Sequence, residues 1–299
     1  MTRGKVLLFV ALAVALAAGG FWATEHGLRT CGWLDVMLGR SGCLGTARFD
    51  GVVPGRGNPD VPFTEAGQAI LAVDALTADG WRNALLVFDP VSGTEQGRYP
   101  VPLGNTIMQL LPSHEGPELL LLCGIVEAQC TEAGGNGVMA DRTDFSVFTE
   151  VADADPSLRT FPGTPVPDPV AYGREARFAA DGQRIVTNRR NEGIMLLDAD
   201  GRLIAELDSQ FLVAQSIVIS PDASRLLAWR RSYGEGDGDR LRIWDATDGR
   251  QLARIDGAPG WQLRGPPFWS SDSRLIFAPR RDGGAMLLDR FAAPTPPAR

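Results

Sequence analysis

Few residues in this chain have the types and spacing that chemistry requires. Only two histidines occur, His26 and His114, in 299 residues. A Ser-His-Asp site needs one as its general base, yet no Gly-x-Ser-x-Gly elbow accompanies either. There is no phosphate-cradling Gly-Lys-Ser/Thr loop and no His-Glu-x-x-His helix, so no cofactor and no metal are expected. Gly234–Asp239 sets Glu235, Asp237 and Asp239 at alternate positions. Three carboxylates can offer oxygens to Ca²⁺, but the twelve-residue loop and its downstream Glu are missing, so a solvated hairpin tip is the expectation. Arginine forms the most informative constellation. Arg189-Arg190, Arg230-Arg231 and Arg280-Arg281 close three apolar runs at the same relative point. Guanidinium groups are always charged and bidentate, which suits an anionic ligand or an acidic partner. Glu192, Asp237, Asp239 and Asp282 follow the pairs closely and are placed to neutralise them. Only one arginine of each pair can point to a given side of a strand.

The elements that must carry these arginines are short strands. Ile217–Ser220 is an apolar run stopped by Pro221-Asp222, Arg225–Trp229 and Leu241–Asp245 follow, and Thr247-Asp248-Gly249 turns the chain into Gln251–Ile255. Alternation and turn chemistry make this four antiparallel strands, the last more polar than the rest. The unit recurs. Phe63–Ile70 matches Phe178–Ile185, and each leads to an apolar run ending in Asp, Leu85–Asp89 and Ile194–Asp198. A poorer copy has a first turn at Leu110–Ser113, a second strand at Glu118–Cys123 and a third at Phe145–Glu150, around an insertion holding Cys130. The last copy, Phe268–Asp272, Arg274–Ala278 and Ala285–Asp289, stops short of a fourth strand. Thr46–Gly51, near the start, nearly repeats Leu252–Gly257 and supplies a spare one.

The Ser220-Pro221-Asp222 turn and the Trp244-Asp245 pair resemble the WD-repeat and Tol-type β-propeller superfamily, over about residues 44–290. The resemblance implies an all-β chain: a single β-propeller of five four-stranded blades, with a sixth possible between Pro112 and Phe178. It also implies that the second-to-third-strand loops emerge on one face, which would set the three arginine pairs along one arc. Ring closure is expected by pairing of Thr46–Asp50 beside Ala285–Asp289. The Gly-His dipeptide of strict WD repeats is absent, and Trp-Asp occurs once. Phe88-Asp89, Leu197-Asp198 and Leu288-Asp289 stand in its place elsewhere.

Composition bounds the partners and the compartment. With 29 Lys+Arg against 36 Asp+Glu, the net charge of −7 argues against nucleic acid. Arg3 and Lys5 precede the unbroken apolar run Val6–Ala18, and the first acid is Glu25. Residues 1–23 read as a signal peptide, cut near Ala15-Leu16-Ala17, or as a signal anchor. Val6–Ala23 as a helix would span roughly 27 Å, and Phe21 and Trp22 favour the anchor as an interfacial belt. The rest is expected on the periplasmic side of the inner membrane. Residues 24–43 form a tether, 44–291 the propeller, and the Pro-rich 292–299 a disordered tail. Four cysteines fit export: Cys31 with Cys43 and Cys123 with Cys130 would close local loops, each contributing about 2.5–3 kcal/mol. The expected function is a non-enzymatic binding platform for a protein or envelope component. The rivals are an enzyme with a metal or small molecule in the central channel, on side chains from several blades, and a small-anion receptor on the arginine arc.

Overall fold

The computed structural model describes residues 42–55, 61–103, 107–113, 115–123, 137–152, 177–179, 183–189, 193–207, 216–231, 238–257 and 260–295. They fold almost wholly as strands, in five four-stranded antiparallel sheets. Strand β1 (Cys43–Asp50) belongs to the fifth sheet. The first sheet holds β2 (Val52–Pro54), β3 (Ala69–Thr77), β4 (Gly80–Phe88) and β5 (Glu95–Pro100), and the second β6 (Ile107–Pro112), β7 (Glu118–Cys123), β8 (Gly137–Asp141) and β9 (Asp144–Val151). The third comprises β10 (Arg177–Phe178), β11 (Arg184–Arg189), β12 (Gly193–Asp198) and β13 (Leu203–Glu206). The fourth contains β14 (Ser216–Ile219), β15 (Arg225–Arg230), β16 (Arg240–Asp245) and β17 (Gln251–Asp256). The fifth has β18 (Phe268–Trp269), β19 (Leu275–Asp282) and β20 (Ala285–Ala292), with β1 beside β20.

That last pairing has the expected register: Thr46 faces Asp289 and Asp50 faces Ala285. The strand also extends back to Cys43, opposite Phe291, so Cys43 is part of the sheet rather than of the tether. In the second sheet the expectation fails. Gly137–Asp141 is the third strand, and Phe145–Glu150 lies in the fourth. The chain resumes the sheet at Gly137, straight after the Gly134–Gly137 run, and the tight Asp141–Asp144 turn makes room for two strands where one was expected. Residues 153–176, where a sixth blade would have to lie, are outside the described residues.

Successive sheets pack face to face because their central strands are apolar on both sides. Ile70, Leu85, Leu119 and Leu121 join the first sheet to the second. Val186, Leu196, Leu226 and Trp244 join the third to the fourth, and Leu227, Trp229, Ile276 and Phe291 the fourth to the fifth. The fifth meets the first through Phe49, Phe88, Phe268 and Phe277, whose rings stand edge-on or stacked. Packing of this kind joins the third, fourth, fifth, first and second sheets in a row.

The turns explain why four strands recur. Ser220 and Ser270 start the first turn, each bonding the Asp two residues on at 2.6 Å and accepting the N–H of the residue that opens the next strand. Asp89, Asp198 and Asp245 end third strands, and each carboxylate accepts backbone N–H groups of the turn that follows. An apolar-Asp pair thus does the work of Trp-Asp. Gly249 has φ +75° and abuts Ala205 of the preceding sheet; Gly93, at φ +73°, abuts Ala47 in the same way. A side chain at either turn would be strained and would press the neighbouring sheet away. Arg142, in the last turn of the second sheet, donates to the carbonyls of Phe63 and Ser113 and ties two sheets together on this side.

Candidate functional site: the hairpin face

Two faces follow from the connectivity. First-to-second and third-to-fourth turns lie on one, here the turn face. Second-to-third hairpins and the connectors between sheets lie on the other, the hairpin face. The described arginines of the three pairs belong to the hairpin face. Arg230 ends β15 and is exposed, and Arg231 follows half-buried. Arg189 ends β11, while its side chain and all of Arg190 lie outside the described residues. Arg280 and Arg281 sit inside β19, which runs on to Asp282.

Asp282 and Asp239 are engaged otherwise than their order in the chain suggests. Arg280 clasps Asp289, with Nε to Oδ2 at 2.6 Å and Nη2 to Oδ1 at 3.0 Å. Asp282 instead pairs with Arg48 of β1, and Arg281 Nε donates to the Gly283 carbonyl. Asp239 is fully buried rather than solvated. Its Oδ2 accepts Trp229 Nε1 at 3.0 Å and the Leu263 N–H at 2.7 Å, so the carboxylate pins the connector between the fourth and fifth sheets. Glu192, Asp237 and the rest of 232–237 lie outside the described residues, as do His26 and His114. Among the described residues no three His, Cys, Asp or Glu side chains gather as a metal site.

Asp289 also departs from its expected role. It is not the counterpart of Asp245, because Ala293 N–H bonds Arg274 as Ala246 N–H bonds Ser224. Ala292 therefore occupies the Asp245 position, and Asp289 lies three residues earlier, buried within the strand. There it also accepts Thr46 Oγ1 at 2.6 Å and Trp261 Nε1 at 2.7 Å. One carboxylate joins β1, β19, β20 and the connector before the fifth sheet. The expected tail is docked at its start, since the Pro294 carbonyl accepts Arg225 Nη1 at 3.0 Å.

Four side chains of the hairpin face carry signals that no motif announces. Arg82 and Arg264 are exposed, and neither forms an ion pair among the described residues. Leu76 and Trp81, opposite each other at the tip of β3–β4, are 55% and 45% exposed. Their neighbours toward the inside, Asp74 and Asn83, break the apolar stripe, and that break is the clue the sequence offers. Inner-strand residues Pro54, Gly55 and Leu110, with Leu71, Pro266 and Pro279, enclose an apolar pocket of about 10 Å³, the room of a single water. Neither Cys43 nor Cys123 is a free thiol. Cys31 and Cys130 lie outside the described residues, as does Val6–Ala23; among the described residues no helix is long and apolar enough to cross a membrane.

Four-stranded sheets in this strand order, stacked face to face, with the last completed by the first described strand, are the arrangement of a β-propeller. Similar solved structures include TolB from Acinetobacter baumannii, at 14% identity and a TM-score of 0.34, over 82% of this chain and 56% of that one. Others are the Myceliophteria thermophila Cps50 (Swd1) β-propeller domain, at 12% and 0.37 over 83% of this chain and 98% of that one, and a eukaryotic initiation factor, at 14% and 0.31 over 83% and 55%. The chain thus spans little more than half of the first and third. No family model matches it, and no curated protein does. Likenesses this distant leave activity and partners open, and the class rests on the strand order.

Proposed function

We propose that this chain is a non-enzymatic, exported propeller of five blades that binds a protein or cell-envelope component through its hairpin face. The observation that carries the reading is the set Arg82, Arg231, Arg264 and Arg281. All four lie on hairpins or connectors of that face, and none has a carboxylate partner among the described residues. Arginines held on rigid strands, on a chain of net charge −7, form a local field suited to an acidic partner. Arg230 lies on the same face, and the sequence repeat alone adds Arg189 and Arg190. Arg280 is assigned to the fold, because Asp289 occupies its guanidinium.

The N-terminal segment Val6–Ala23 exports the chain and anchors it, and Cys31–Cys43 and Cys123–Cys130 are the bridges. Chain ends support this arrangement. β1 enters at Cys43 on the turn face, and β20 leaves at Ala292 on the same face, so a tether leaves the hairpin face clear.

The test is capture from a detergent-solubilised envelope fraction by purified protein, compared with an Arg231→Ala/Arg264→Ala/Arg281→Ala variant. Melting temperatures should agree within a few degrees. Capture by the parent should fall as salt rises, and the variant should capture little even at low salt. A folded variant that captures as well as the parent would overturn the reading.

A further inference from the structure

The side of the fourth sheet that meets the third carries a grid of charge. Across β15, β16 and β17 the paired residues are Ala228, Arg242 and Arg254 in one row and Arg230, Arg240 and Asp256 in the next. The ladder is regular through both rows, so all six side chains share one side of the sheet. Ala228 packs with Val186 and Leu196, which identifies that side as the one toward the third sheet. The row between them, Trp229, Leu241 and Ile255, points the other way and is buried against the fifth sheet. The second charged row stands at the hairpin-face end, where β15 and β17 stop and β16 starts. From the third sheet, Ile194 and Leu207 pack on this side at that end, and both are apolar. Asp198, the carboxylate of β12 on the same side, lies at the opposite end of its strand.

Within the grid a single carboxylate serves two arginines. Asp256 Oδ1 is 2.7 Å from Arg242 Nη1, and its Oδ2 is 2.9 Å from Arg254 Nη2. Arg242 is buried and also donates to the Leu241 carbonyl at 2.8 Å, so it forms a fixed floor. The Arg254 side chain is 66% exposed and forms the rim. Arg240 stands directly opposite Asp256 yet takes no part in this clasp. It is half-buried, and its guanidinium has no hydrogen bond or ion pair among the described residues. Arg230, on its other flank, has contacts of its own and adds a like charge, which disfavours the pair. Leaving Arg230 aside, three arginines face one carboxylate, and two positive charges stay uncompensated among the described residues. A half-buried cation without an acceptor lowers stability, so the fold alone does not account for Arg240.

We propose that this grid binds the dianion of a phosphate monoester, with Arg240 and Arg254 as its ligands and Arg242 beneath them. Arg240 and Arg254 are diagonal neighbours on adjacent strands, about 7–8 Å apart at Cα. Two side chains of that length converge on one compact group, whereas an extended polyanion would need a longer stripe. Guanidinium donates in parallel pairs that match phosphate oxygens, and the two uncompensated charges match the nearly two negative charges of a monoester at neutral pH. A carboxylate already occupies the grid, as Asp256, and leaves Arg240 unused; a group with three acceptor oxygens serves Arg240 and Arg254 together. A soluble phosphate ester and a lipid headgroup ending in phosphate offer the same chemistry. The site shares no residue with Arg82, Arg231, Arg264 and Arg281, so it is independent of the partner-binding reading.

The experiment titrates the whole chain with inorganic phosphate and with glycerol phosphate, read by calorimetry, and both should bind saturably. Arg240→Ala and Arg254→Ala should each weaken binding about tenfold, the effect of losing hydrogen bonds to a charged group. Arg274→Ala removes the same charge from an exposed position on the turn face and should bind as the parent does. In phosphate-free buffer Arg240→Ala should melt no lower than the parent, since it removes a cation without an acceptor. Lowering the pH from about 7.5 to about 5.5 protonates the monoester and should weaken binding severalfold. Phosphatidylcholine vesicles containing phosphatidic acid separate the two sources. Sedimentation with them that Arg240→Ala abolishes assigns the phosphate to a headgroup; glycerol phosphate binding without sedimentation assigns it to a soluble ester. Failure to bind any of these probes overturns the proposal. So does binding that survives both arginine substitutions or the lower pH, and so does an Arg240→Ala variant that melts lower and binds as before, which would return Arg240 to the fold.

Discussion

Asp222 shows how much a single carboxylate does in this fold. Burial alone would raise its pKa, but the Ser220 and Ser224 hydroxyls, the Ser224 N–H and the Arg225 guanidinium outweigh that and pull it down to about 2. Asp272 is lowered in the same way, first by the Ser270 hydroxyl, so the feature belongs to the repeat and not to one turn. A carboxylate whose pKa is depressed on folding contributes stability that is present above its unfolded value and lost as pH falls through the folded value. For Asp222 the window runs from about pH 4 down to about 2. Asp222→Asn should therefore melt lower than the parent at neutral pH, by roughly 2 °C for a group this exposed, and the two melting temperatures should converge as pH approaches 2. A gap that stays constant across that range would show that the turn is held by shape and not by charge.

At the scale of elements, β1 decides whether the fifth sheet has four strands, and Asp289 holds it there. The carboxylate is fully buried and takes bonds from Thr46, Trp261 and Arg280. Replacing it with Ala would leave a guanidinium and an indole N–H without their acceptor inside the protein. Such a loss costs about 3–5 kcal/mol, far more than the pair contributes relative to a well-packed apolar substitute. Thr46→Val removes one neutral donor and should cost about 1 kcal/mol. Chemical denaturation of Asp289→Ala and Thr46→Val would measure both, and equal effects would mean that Asp289 is not the centre of the clasp. Arg280 cannot serve this clasp and a partner at once, and for that reason the binding arc is drawn through Arg231, Arg264 and Arg281.

For the whole molecule, the two faces are divided by role. The turn face receives the start of β1, the end of β20, the Asp-capped turns and Arg142; the hairpin face carries Arg82, Arg231, Arg264 and Arg281, which have no carboxylate partner among the described residues, and the Leu76–Trp81 tip. Export would add oxidised cysteines to this scheme, and Cys43 places one of them in the closing strand itself. Unreduced, denatured protein recovered from the periplasmic side should accordingly titrate no free thiol. Two or more free thiols would remove the proposed bridges and with them much of the case for that compartment.

The repeat, the strands and the closing pair are legible in the amino-acid sequence by itself, because they depend on local rules. Alternation sets strand faces, Ser-x-Asp and Asp-Gly sequences set turns, and a spare strand at one end with a missing one at the other sets the register of Thr46 against Asp289. The second sheet departs from its expected strands because an insertion hides where pairing resumes, and only the ladder from Leu122–Gly137 to Glu118–Asp141 decides that. Leu288-Asp289 has the letters of the other apolar-Asp pairs, yet hydrogen bonds and not letters define equivalence, and they place Asp289 inside the strand. Asp239 follows Gly236 and Gly238 in a stretch that reads as solvent-facing. It is buried because Trp229 and Leu263, remote along the chain, bring donors to it. Leu76 and Trp81 continue a pattern that is core two pairs earlier. Whether such a pair is buried depends on how far the neighbouring strands reach, and strand length in the adjoining layer is a property of the assembled molecule alone.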